Sequence, residues 1–131
     1  MSEMNKTLAR RFVEQFLNSA DRAVLEELVA PHYLDHDLPS GVTPWQSISA
    51  IRAGFPDASF RVEDVIAEHD RVVVRYAIEG THTGRFYGMP PSGRTVHLEG
   101  ISIYRIENDR LAEAWVQYDQ AGLMRQIGKP D

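Results

Sequence analysis

The feature that most constrains this chain is a change of hydrophobic period near Ala58. Before it, apolar residues recur every three to four positions; after it, they recur every two. Those are the repeats of a helix face and a strand face, so the chain divides into a helical first half and a sheet-forming second half. Leu8, Phe12, Val13, Phe16 and Leu17 mark an amphipathic helix over 4–18, and Asp21 is placed to cap a short second helix that Pro31 ends. Thr43-Pro44-Trp45-Gln46 is a helix start, with Thr able to cap, Pro tolerated at the first helical position and Gln able to close a capping box. That third helix closes at Gly54-Phe55-Pro56. Between the second and third helices, 31–39 reads as a brief extended piece bounded by Pro31 and Pro39.

Strands are predicted over 59–68, 71–81, 95–106 and 111–118. Two short links around His69 and Asn108-Asp109 are hairpin turns, whereas 83–94 is a longer loop rich in Gly and Pro. The tail over 120–126 is expected to form one or two helical turns before Gly128-Lys129-Pro130. Three helices followed by four consecutive antiparallel strands bury their apolar faces together only if the sheet curls around the helices. The expected fold is therefore α+β, a single-domain cone over 1–131 with a pocket between sheet and helices.

The stretch Glu113-Ala114-Trp115-Val116-Gln117-Tyr118-Asp119 attracts attention within that cone. On a strand, Glu113, Trp115, Gln117 and Asp119 share one face, and Ala114, Val116 and Tyr118 share the other. Two carboxylates, an amide and an indole together suit a pocket wall, with Asp119 at the strand end. The plainer role for Asp119 is to cap the helical turn that follows. Arg75 among valines points to a carboxylate partner such as Glu113 or Glu99, or to a substrate. His97 and Glu99 share a face of the next strand.

Composition narrows the functional classes. The 131 residues carry a net charge of −5, 43% hydrophobic and 25% charged residues. Scattered basic residues on an acidic chain argue against nucleic-acid binding, and no apolar run reaches the roughly 20 residues of a membrane span. The absence of cysteine removes thiolate catalysis and Cys-ligated metals. A cytoplasmic location is the expectation. His32 and His36 are four apart, but the prolines on either side argue against the helix that would bring them together on a metal.

Phe55-Pro56-Asp57, Glu63-Asp64, Val72-Val73-Val74-Arg75, Gly80-Thr81-His82-Thr83-Gly84, Pro91-Ser92-Gly93, Gly100-Ile101-Ser102-Ile103-Tyr104-Arg105, Glu113-Ala114-Trp115, Asp119 and 122–128 resemble, in order and spacing, the SnoaL-like polyketide cyclases, also described as ester cyclases. The resemblance implies the NTF2-like cone shared with ketosteroid isomerase, limonene epoxide hydrolase and scytalone dehydratase. It also implies a homodimer through the outer sheet surface. Characterised members close the fourth ring of anthracycline precursors by intramolecular aldol condensation, without metal or cofactor. In the family an Asp matching Asp119 is the acid–base group, and a His near His36 faces the cavity. His82 belongs to the family signature, although the glycines around it also describe a strand end.

The sequence thus nominates Asp119 and His36 for catalysis, and Arg75, His82, Glu113, Trp115, Gln117, Trp45 and Phe55 for a small hydrophobic carbonyl ligand. A carboxylate in an apolar cavity suits the proton transfers, since desolvation raises its pKa toward the working pH. The alternatives are an epoxide hydrolase built on Asp-Arg-Asp, an isomerase of the same fold, and a binding module without catalysis.

Overall fold

The computed structural model describes residues 2–128. Its elements are α1 (Ser2–Arg11), a π-helical continuation (Phe12–Leu17), α2 (Arg22–Leu28), β1 (Val29–Asp35), α3 (Pro44–Gly54), β2 (Ser59–Glu68), β3 (Arg71–Thr81), β4 (Thr95–Glu107), β5 (Arg110–Tyr118) and α4 (Gln120–Gly128). The anticipated stop at Lys129-Pro130 lies outside the described residues. No helix among the described residues is long and apolar enough to cross a membrane.

The local signals act as expected. Asp21 accepts the Ala23 N–H at 2.9 Å, and Thr43 and Gln46 form a reciprocal capping box at the start of α3. The first helix differs in one respect: its second half widens to π geometry, which turns Phe12, Val13 and Phe16 inward together. The larger correction concerns 31–39. Its first part belongs to a true strand, β1, which pairs parallel with β5 and makes the sheet five-stranded and mixed, in the order β1-β5-β4-β3-β2. Helix α2 accordingly ends at Leu28, before Pro31. Because β1 is an edge strand, Pro31 is tolerated in it.

The helices fill the concave side of the sheet. Phe12, Val13, Phe16, Leu28, Val72, Val74, Tyr104 and Leu111 form the centre of one buried cluster. Side chains fix how each helix meets the sheet. Asn18 exchanges two hydrogen bonds with the Phe60 backbone, at 3.0 and 2.8 Å, and so pins the end of the first helix to edge strand β2. Arg52 donates to Leu17 O and Ala58 O, which anchors α3 over the open end of the cone. Strand β4 alternates strictly, with Val96, Leu98, Gly100, Ser102 and Tyr104 inward. Gly100 pairs with Tyr76 across β3, and a Cβ at that position would strike the tyrosine ring. The glycine therefore makes room for an aromatic side chain on the inner wall.

Candidate active site

Between the helices and the inner face of the sheet lies a cavity of about 420 Å³, within the range of small-molecule sites. Its walls are mostly apolar: Phe12, Ile48, Ile51, Phe55, Phe60, Phe86, Leu98 and Val116 all face it. Polar groups gather from β1, β3 and β4, namely Tyr33, Asp35, Tyr76, Ser102 and Tyr104. The Tyr76 and Ser102 hydroxyls are hydrogen-bonded at 2.9 Å. Tyr87, Tyr118, Gln117 and Gln120 lie at the more exposed end. Three carboxylates border the cavity and, among the described residues, no Lys, Arg or His does.

Those carboxylates are not equivalent. Asp37 accepts the Val116 N–H at 2.6 Å and the Gln117 amide at 3.3 Å, so it latches the chain after β1 onto β5. Glu79 is held by His97 at 3.1 Å. Asp35 has only main-chain donors among the described residues, chiefly the Asp37 N–H at 2.9 Å. Burial pushes the Asp35 carboxyl above the ordinary Asp value, and the neighbouring charge of Asp37 adds to this; N–H groups and His36 pull the other way. Burial also raises the phenols of Tyr33, Tyr76 and Tyr104, each further lifted by the charge of Asp35. At neutral pH all three are O–H donors.

The outer face of the same strands is a different environment. Arg105 holds Glu113 at 2.6 Å and Glu107 at 2.9 Å. Glu113 also meets His36 at 2.6 Å, and the His36 ring stacks on Trp115 with centroids 4.8 Å apart. These partners, Arg105 first and then His36, hold the Glu113 carboxyl below its usual value.

Sequence and structure comparisons decide what this cone belongs to. Residues 7–127 match the profile of the SnoaL-like polyketide cyclases. The chain belongs to that family. Among its relatives, the nogalonic acid methyl ester cyclase of Streptomyces nogalater is 29% identical over 116 residues, covering 86% of each chain. The aklanonic acid methyl ester cyclase DnrD of Streptomyces peucetius is 28% identical over 131 residues, covering 94% of this chain and 90% of that one. Among solved structures, a protein from Jannaschia sp. CCS1 assigned as a SnoaL-like polyketide cyclase superposes with a TM-score of 0.85 at 25% identity, over 99% of this chain and 95% of the other. IdmH from Streptomyces antibioticus, assigned as a polyketide cyclase, gives 0.80 at 28% identity over 95% and 99%.

Against this SnoaL-like frame, the residues nominated from sequence separate into two groups. Phe55 and Gln117 line the cavity. Glu113, Trp115, His36 and Arg75 do not: they stand on the outer face, where Arg75 pairs with Asp64 at 2.6 Å and Glu99 at 3.7 Å. The expectation that Glu113 and Trp115 wall the pocket is therefore corrected. Along most of β5 the inner side carries Ala114 and Val116, and at the exposed end of the strand Gln117 and Tyr118 both border the cavity, because a desolvated wall favours uncharged side chains whereas Glu113 finds Arg105 and His36 outside. With Arg75 outside, the Asp-Arg-Asp arrangement of an epoxide hydrolase finds no arginine in the cavity among the described residues.

Asp119 is exposed at the end of β5, beside a shallow outer depression shared with Glu99 and Ile101. Its carboxylate accepts the Gly122 N–H at 2.8 Å and caps α4; a Cβ at Gly122 would collide with it. Trp45 is also outside the cavity lining, donating to Ala20 O at 3.1 Å under the Arg22 guanidinium. His82 is 0% exposed. Its Nδ1 accepts the Ser92 N–H at 3.2 Å, which ties the 83–94 loop to the end of β3, and its ring stacks against Phe55 with centroids 5.2 Å apart. It thus supports a cavity wall without lining it.

Sequence reasoning missed Asp35 as a cavity residue. The signal was present in the two-residue spacing of Tyr33 and Asp35, which places both on one face of a strand.

Proposed function

We propose that this chain is a single-domain cyclase that closes a carbocyclic ring by intramolecular aldol addition within a hydrophobic, carbonyl-rich polyketide ester. The observation that carries the reading is the convergence of a carboxylate and several hydroxyls in an apolar cavity of about 420 Å³. A carboxylate there can remove a proton from carbon between two carbonyls. Neutral phenols can donate to the enolate oxygen in a setting where little water competes. The reaction is an isomerisation, and each step moves only protons and carbon–carbon electrons, so it calls for no cofactor. The family membership and the methyl ester cyclases among the relatives point to the same substrate class.

The family resemblance assigns the acid–base step to Asp119 and a supporting role to His36. Either group acts inside the cavity only by leaving its resting partner, the Gly122 N–H for Asp119 and Glu113 with Trp115 for His36.

The assembly we propose is a homodimer through the outer sheet face. Support comes from a row of apolar side chains in register across four strands: Ile66 opposite Val73, Val73 opposite Ile103, and Ile103 opposite Trp115. Ile66 is 64% exposed and Ile101, beside the row, 47%, a contiguous patch of the kind that marks a protein interface.

The test is incubation of the purified protein with nogalonic and aklanonic acid methyl esters, followed by chromatography and mass spectrometry. The expected product has unchanged mass and a shifted retention time. If neither ester is converted and neither binds, the cyclase reading fails; binding without conversion leaves a ligand-binding module.

A further inference from the structure

Taking the cyclase reading as its premise, we infer that Asp35, rather than Asp119, is the group that takes and returns the proton, with Tyr33 and Tyr76 donating to the enolate oxygen. Three observations carry this. Of the three carboxylates bordering the cavity, Asp37 is committed to Val116 and Gln117, and Glu79 to His97. Asp35 alone has no side-chain partner among the described residues; it sits on the inner face beside Ala114, its register partner on β5. Asp119 borders the outer depression and is occupied with the α4 N-terminus.

The chemistry balances with the groups present. The Asp35 carboxylate removes a proton from carbon between two carbonyls, and the C–H electrons become the enolate. The enolate carbon attacks a second carbonyl of the same molecule, forming the C–C bond and leaving an alkoxide. Protonated Asp35 returns the proton to that alkoxide, which restores the enzyme. A carboxyl raised by burial is better matched to both transfers than an ordinary aspartate. The titratable groups around it are Tyr33, His36 and Asp37 on its own segment, Tyr76 and Glu79 on β3, Tyr87 on the 83–94 loop, Tyr104 on β4 and Tyr118 on β5. From the helices, among the described residues, only uncharged side chains such as Phe12, Ser47 and Ile48 line the cavity.

The experiment compares wild type, Asp35→Asn and Asp119→Asn with nogalonic acid methyl ester as probe. Cyclised product is measured, together with deuterium uptake from D2O at the carbon between the carbonyls. Asn caps a helix about as well as Asp, so Asp119→Asn removes the acid and keeps the cap. Asp35→Asn is expected to lower both readouts by about 100-fold or more, and Asp119→Asn to stay within about tenfold of wild type, a loss too small for the general acid–base group. Should Asp35→Asn fail to fold, the pH profile of kcat/KM decides. Its acid limb is expected above the ordinary Asp range in wild type and unchanged in Asp119→Asn. Near-wild-type rates in Asp35→Asn, loss of both readouts in folded Asp119→Asn, or disappearance of the limb in Asp119→Asn overturns the assignment while leaving the cyclase reading intact. A wild-type protein that neither exchanges nor cyclises the probe overturns both.

Discussion

The two faces of β4 and β5 are interleaved residue by residue, yet they solve opposite problems. Outside, Arg105 pairs with Glu107 and Glu113, and His36 shares a hydrogen bond with Glu113, all in reach of solvent. Inside, one position away along the same strands, Ser102, Tyr104, Ala114 and Val116 present no charge, and the carboxylate that joins them from β1 has no side-chain hydrogen-bond partner among the described residues, with His36 acting on it only through space. The difference teaches that charged residues on a strand are poor guides to a site. A charge that is well partnered is quiet, whereas a carboxylate held in a half-dry cavity without a side-chain partner is poised to exchange protons.

Truncation sharpens the contrast most. Ile106→Ala, on the inner side and 8% exposed, is expected to cost about 2–5 kcal/mol in chemical denaturation. Ile103→Ala on the outer row is expected to change stability by about 0.5 kcal/mol or less at concentrations that keep the protein monomeric. Equal costs would erase the distinction between the faces.

The outer row is tested next by Ile103→Asp. Light scattering should give a dimer for wild type and a monomer of 14.9 kDa for the variant, with turnover little changed because Ile103 does not line the cavity. A monomeric wild type removes the homodimer.

Smaller still, and opposite in sign on the two faces, are the pH effects on stability. Glu113 has a depressed carboxyl, so its contribution is present above the ordinary Glu value and is lost as pH falls through the depressed one; Glu113→Gln should remove that acid limb. Asp35 has a raised carboxyl, so the folded state binds its proton more readily than the unfolded chain. Stability then falls as pH rises from the ordinary Asp value through the raised one, and Asp35→Asn should be the more stable protein at neutral pH. A less stable Asp35→Asn would contradict this. The smallest effect is expected for Asp64→Asn, whose exposed pair with Arg75 should shift neither the denaturation midpoint nor activity.

Much of this molecule is legible in its sequence. The period change at Ala58, the caps at Asp21 and Thr43 and the alternation of β4 are local features, and local physics fixes them. Two things were not legible. Strand β1 is short and contains Pro31, and its pairing with β5 joins residues about eighty positions apart, so no local pattern announces that pairing. The side of β5 that faces the helices is likewise a property of the assembled cone: alternation fixes which residues share a face, not which face is inside. Polarity pointed the wrong way there because Glu113 and Trp115 find Arg105, His36 and Arg71 outside. That same ambiguity hid Asp35, one residue from the more conspicuous His36.

The most direct measurement is the titration of Asp35 itself, followed by carbon NMR of protein labelled at the aspartate carboxyl, with the signal identified by its absence in Asp35→Asn. A midpoint above the ordinary Asp value of about 3.9 is the predicted result. A midpoint at or below that value would mean that the cavity carboxylate is as well solvated as one on the surface, and the inner face would lose its claim to the chemistry.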